Sequence, residues 1–135
     1  MTIVLRNAIS ELNRVGSLVS EFWTRHGLPP ELENDVNLAL EEIVANVIMH
    51  GHQDGLPHEF LVRLQMEDGL LAIEVEDDGV PFNPLEAPEP DVRRPLVDRR
   101  IGGLGIHLVR HLMDSLEYSR EATKNHLVMK KKVRP

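Results

Sequence analysis

Four residues, Gly27-Leu28-Pro29-Pro30, do most to limit what this chain can become. Before them runs an apolar repeat at helical spacing, Leu12, Val15, Leu18, Val19 and Phe22, opened by a cap at Asn7 or Ser10. Glycine suits the left-handed turn that ends a helix, and the prolines block continuation while fitting the first turn of a new one. A second helix is therefore expected from near Pro30 to Gly51. Two helices in succession, preceded only by the short β-rich run TIVLR at Thr2–Arg6, break the strand–helix alternation of a parallel doubly wound sheet.

The rest of the chain reads as strands around one more helix. His58 to Met66 and Leu70 to Glu76 are expected strands, joined at Glu67-Asp68-Gly69, where the D-G pair signals a hairpin. Leu71, Ile73 and Val75 alternate with Ala72, Glu74 and Glu76, so one face is core and the other wet. A helix from Gly103 or Leu104 to about Met113, then strands near Ser115 to Arg120 and Asn125 to Val133, complete the pattern. Between Asp78 and Arg100 stand Pro81, Pro84, Pro88, Pro90 and Pro95 without any period, which reads as a long loop of the kind that carries function. The expected fold is an α+β two-layer sandwich, with a mixed, mainly antiparallel sheet of about five strands and three helices on one face. At 135 residues a single domain over 1–135 is expected.

Composition removes several functions. With 22 acidic against 15 basic side chains, non-specific nucleic-acid binding is disfavoured, and Lys130 to Lys132 reads as a solvated edge strand or a frayed tail. The absence of cysteine excludes disulfides, thiolate metal sites and cysteine nucleophiles, and suits a reducing, cytoplasmic setting. There is no signal-like N-terminal segment and no apolar run of membrane-spanning length, so no membrane partner is expected.

Glu42 and Asn46 disturb the second helix. At about 100° per residue, Val36, Leu40, Ile43, Val44 and Val47 gather on a core face, and Asn34, Asn37, Glu41 and His52 on a solvent stripe. The Glu42–Asn46 pair lies on neither, but among Leu38, Ala39, Ala45 and Met49. A carboxylate among apolar neighbours needs a cation, a donor or a changed pKa. From the helix alone, an ordinary contact at a half-exposed edge and the wall of a site are both open. His50 extends the row by another four residues; as a metal trio this is weak, since Asn serves Mg²⁺ better than zinc, and a hydrogen-bonded histidine ending the helix is expected.

Two further stretches bear on the choice. VEDDGVPFNP, Val75 to Pro84, runs a strand into Asp77-Asp78-Gly79 where the long loop begins; adjacent strand residues face opposite ways, which argues against a paired acid and base. RIGGLGIHLVRHLMD, Arg100 to Asp114, places Gly102, Gly103 and Gly105 at the start of an apolar helix. Unpaired N–H groups there favour an anion, with Arg99 and Arg100 alongside, although a lid hinge would use the same glycines.

E-E-I-V-A-N-V-I-M-H-G, D-D-G-V-P-F-N-P and G-G-L-G-I-H-L-V-R-H-L-M-D, in this order and spacing, resemble the GHKL ATPases with their Bergerat ATP-binding fold. Within these, the chain is most similar to bacterial anti-sigma-factor serine/threonine kinases. The resemblance implies ATP and Mg²⁺ as cofactors. It makes Asn46 the Mg²⁺ ligand, Glu42 the general base, and Asp77 the acceptor for the adenine amino group, with Gly79 allowing the base to approach. Gly103, Leu104 and Gly105 would lie against the phosphates beside Arg100, and about 78–102 would be the ATP lid. It further implies transfer to a small anti-anti-sigma (STAS-type) protein, sequestration of a sigma factor, and dimerisation, for which Trp23 on the first helix is a candidate contact. Pro81 stands where the wider superfamily has glycine, and Val128 is read at the position of a threonine near the adenine. An ATP-gated binding module without catalysis is the alternative; an ATPase or histidine-kinase fragment ranks below both.

Overall fold

A computed structural model of the chain describes residues 1–86 and 104–134, with every side chain of these except that of Leu104. β1 (Thr2–Arg6) leads through a 3-10 turn (Ile9–Glu11) into α1 (Leu12–His26) and α2 (Pro30–His50). β2 (Glu59–Glu67), β3 (Leu70–Asp77), a second 3-10 turn (Pro84–Glu86), α3 (Leu104–Leu112), β4 (Ser115–Glu121) and β5 (Lys124–Lys132) follow. The strands form one sheet in the order β1-β2-β3-β5-β4, and all four pairings are antiparallel. Five strands and three helices are as expected, and the described sheet lies at the fully antiparallel end of that expectation.

The punctuation works as its chemistry requires. Gly27 adopts φ +58° and its N–H bonds back to Thr24, while Pro30 occupies the first turn of α2, where a missing N–H costs nothing. The hairpin turns at Asp68 and Gly69, both with positive φ. Phe60, Val62 and Leu64 of β2, Leu71, Ile73 and Val75 of β3, and Leu127 and Met129 of β5 all point into the core. Side chains between them stay at the outer face, where Arg63 pairs with Glu74 at 3.0 Å. From the helices come Val15, Val19, Phe22, Val36, Leu40 and Val44, and from α3 Ile106 and Val109. Each such burial contributes about 1.5–3 kcal/mol before entropy. α2 packs against both α1 and α3 and is the spine of the helical layer. No described helix is long and apolar enough to cross a membrane.

Three expectations change. Trp23 is 3% exposed and donates its indole N–H to the Pro29 carbonyl at 2.8 Å, so it is a core residue bracing the α1–α2 corner rather than a surface contact. Asn37 is not on a free solvent stripe: its amide donates to Glu41 and its buried Oδ1 faces Gly16 of α1. The lysine run is neither edge nor tail. β5 lies between β3 and β4, and Lys131 donates to the Leu112 carbonyl at 2.5 Å, capping α3 where a cation complements the helix dipole.

Candidate functional site

A cleft opens between α2 and the end of the sheet. It encloses about 460 Å³ of atom-free space counted out to its mouth. Ile43, Val47, Val75 and Leu127 give it apolar walls; Asn46, Asp77, Tyr118 and Asn125 give it polar groups, and His50 stands at the helix end. Few polar groups converging on an apolar cavity is the common form of a small-molecule site.

Asp77 is the last residue of β3 and follows the inward alternation of Ile73 and Val75. Its Oδ2 accepts from the Gly79 N–H at 3.0 Å and from Asn125 Nδ2 at 3.3 Å. Both bonds fall on one oxygen, so Oδ1 remains available among the described residues. Burial pushes the carboxyl above the usual Asp range, and those two donors oppose it.

Asn125 is the residue that sequence reading missed. It is 6% exposed and sits opposite Asp77 in the β3–β5 register. Its Nδ2 also donates to the Val80 carbonyl at 2.8 Å, while its Oδ1 accepts from the Tyr118 hydroxyl at 2.5 Å and from Arg120 at 3.0 Å. Arg120 also donates to the Gly79 carbonyl at 3.0 Å. The position beside the aspartate thus belongs to Asn125. Val128, expected there, pairs with Glu74 and Glu117 and alternates onto the outer face, so its missing hydroxyl has no bearing on the cleft. Only the strand register decides between them, and a single sequence does not carry it.

The glycines divide in purpose. A Cβ on Gly79 would overlap the Gly51 backbone, and Val80 N–H donates to the Gly51 carbonyl at 2.8 Å. The close approach that Gly79 permits is therefore made by the end of α2, which brings Asp77 to the helix. Gly105 meets Glu42: a Cβ there would overlap that carboxylate. α2 and the first turn of α3 consequently touch at Glu42, one turn from Asn46.

Asn46 and Asp77 thus share the cleft, Gly79 supports Asp77, and Glu42 and Gly105 meet beside Asn46. Pro81 is exposed just beyond Gly79. Leu104 opens α3. Arg100, Gly103 and the lid from 87 onward lie outside the described residues. The row Glu42, Asn46 and His50 gathers no third His or carboxylate as a metal trio among those residues.

The family model for the Histidine kinase-like ATPase domain matches residues 5–131. A Bordetella bronchiseptica protein named Serine/threonine-protein kinase BtrW is 30% identical over 94 residues, which are 70% of this chain and 66% of that protein. An Anti-sigma F factor of Clostridium perfringens is 32% identical over 111 residues, 78% of each chain. The crystal structure of the RsbU and RsbW domains of a Mycobacterium tuberculosis protein matches with a TM-score of 0.72 at 18% identity, over all of this chain and 33% of that one. At that identity the likeness is one of fold, and it agrees with the α+β sandwich described above. With the family match running from β1 into β5, the chain belongs to the histidine kinase-like ATPase domain family.

Proposed function

We propose that the cleft binds ATP with Mg²⁺ and that the chain is a serine/threonine protein kinase acting on a small anti-anti-sigma (STAS-type) protein. One observation carries this reading: an acceptor carboxylate, Asp77, and a carboxamide, Asn46, face one cleft, with Glu42 and the Gly105 turn beside the carboxamide. The names of the relatives point the same way. The donor set fits the cofactors. Asn46 offers an oxygen to a cation that prefers few protein ligands and keeps its waters. α3 begins at Leu104, and the N–H groups that a helix start leaves unpaired suit phosphate.

ATP bound there supplies the transferable phosphoryl group, and Mg²⁺ neutralises its charge. Asp77 accepts from an exocyclic amino group through Oδ1. Guanine would set a carbonyl against that oxygen and leave two acceptors unpaired, so adenine is selected. Glu42 takes the proton of the attacking hydroxyl. Phosphoryl transfer asks for positioning and charge neutralisation more than covalent help, and these residues sit on helices and strands rather than on mobile segments. A phosphate placed on the partner adds charge to the interface and breaks it.

A second reading keeps the nucleotide but not the chemistry: a homodimer of the chain sequesters a sigma factor, a role to which the anti-sigma name of the 32% identical relative points. The test mixes purified protein, Mg-ATP labelled at the γ-phosphate and a candidate partner. Label on a partner serine or threonine is expected. Tight binding of both without transfer would remove the kinase and leave the sequestration module.

A further inference from the structure

The segment joining α2 to β2 and the residue after β3 bring together side chains that do not line the cleft. His52 and His58 stack face to face, with ring centroids 3.4 Å apart and planes within 5°. Each imidazole meets a carboxylate: His52 Nε2 lies 2.9 Å from Asp78 Oδ1, and His58 Nε2 lies 2.8 Å from Asp54 Oδ2. Ligand-capable atoms of His52, His58 and Asp78 all lie within 4.8 Å of one another. Both histidines are half-buried and Asp78 is exposed, so the group is held by the fold yet open to an ion from solvent.

We propose that His52, His58 and Asp78 form a binding site for a divalent transition metal of the zinc type, with Asp54 as the outer partner of His58. Tetrahedral zinc, with bonds of about 2.0–2.1 Å, spaces its ligand atoms about 3.3 Å apart. The His52–Asp78 separation of 2.9 Å is near that spacing, and His58 joins them by turning its ring out of the stack on His52. Asp54 accepts the Nε2 proton of His58, which leaves the lone pair on Nδ1; a carboxylate on the far nitrogen is the usual support of a metal-binding histidine. The Leu56 N–H, and then His58, hold Asp54 below the usual Asp range, and His52 does the same for Asp78, so both are anionic at neutral pH. Two imidazoles and one carboxylate suit zinc, cobalt or nickel, and do not suit Mg²⁺.

The position gives the site a consequence. His52 adjoins Gly51, whose carbonyl accepts from Val80, and Asp78 adjoins Asp77. A metal bridging His52 to Asp78 ties the end of α2 to the end of β3, across the Gly51–Gly79 contact at the rim of the cleft. Occupancy stiffens that rim whatever the cleft binds, so the inference stands apart from the nucleotide reading and is tested with no nucleotide present.

Untagged full chain, stripped with chelator, is titrated with Zn²⁺ alone by calorimetry and with Co²⁺ alone by its visible absorption. One equivalent is expected to bind, with a rise in thermal midpoint that Mg²⁺ does not give. His52→Gln and, separately, Asp78→Asn should weaken binding at least tenfold and abolish the midpoint shift while leaving the metal-free midpoint near that of the parent. His107→Gln with His111→Gln removes the other adjacent histidine pair, whose Nε2 atoms are 3.1 Å apart, and should leave binding intact. No saturable Zn²⁺ or Co²⁺ binding by the parent chain would overturn the proposal, as would binding that survives both His52→Gln and Asp78→Asn or that disappears with the His107 and His111 pair.

Discussion

The two ends of the cleft are built on opposite terms. At the sheet end, Asp77 is held by Gly79 and Asn125, and Asn125 is held in turn by Tyr118, Arg120 and Val80. At the helix end, Glu42 and Asn46 are half-exposed, and no hydrogen bond joins either side chain to another described residue. Strands can lock a polar group because cross-strand neighbours are fixed by register. Asn46 faces the cleft and Glu42 packs on Gly105, and the hydrogen bonds these side chains lack a ligand can provide. On the proposed reading the sheet end, already held in place, recognises the base, and the helix end engages charge. Recognition and chemistry should therefore fail separately.

Glu42→Ala should show the largest separation. If Glu42 is the general base of the proposed reaction, its loss lowers transfer by about 10²–10⁴-fold. Nucleotide affinity measured by calorimetry should stay near that of the parent, and a parallel fall in both would merge the two ends into one. Asp77→Asn should do the reverse, lowering affinity about 10–150-fold through a lost charge-assisted hydrogen bond. It should not destabilise the empty protein at pH 7. Burial raises the pKa of the carboxyl in the folded state, so its stabilising protonated form is fully present below the ordinary Asp range and lost as pH rises through the folded value. An amide escapes that loss. The thermal midpoint of Asp77→Asn should thus match or exceed the parent at pH 7 and show no advantage at pH 3.

Asn125→Ala sharpens the comparison from the other side. It strips acceptors from Tyr118 and Arg120 and a donor from Asp77, and should cost about 1–3 kcal/mol in urea unfolding. No helix-end substitution at Asn46 should cost as much. The smallest effect belongs to Val128→Thr, on the outer face, which should leave affinity unchanged and stability within about 0.5 kcal/mol. A clear gain in adenine affinity would mean the strand register is wrong.

What the sequence made legible follows from the range of each interaction. Gly27, Pro29 and Pro30 act on their own backbone, so the helix boundaries could be read within a residue or two. Alternation marked β2 and β3 because the sheet has one wet face. Glu42 and Asn46 stood out as polar groups off the solvent side, and Asp77 as a strand-end acid. Asn125 could not be found this way. Its importance comes from facing Asp77 across β3 and β5, residues 48 apart in the chain, and pairing of that kind leaves no local mark. Trp23 misled for the opposite reason: its place on α1 gave no hint that the Pro29 carbonyl would satisfy its indole. Lys131 looked like part of a solvated run until the sheet order put β5 inside and α3 above it.

The claim beneath all of this is that one nucleotide spans both ends. Amide and side-chain NMR of labelled protein, titrated with Mg-ATP, reads it directly. Signals of Asp77, Gly79 and Asn125 at one end, and of Asn46 and Gly105 at the other, should move together and fit a single dissociation constant. Movement confined to one end, or two constants that Asp77→Asn shifts independently, would contradict it.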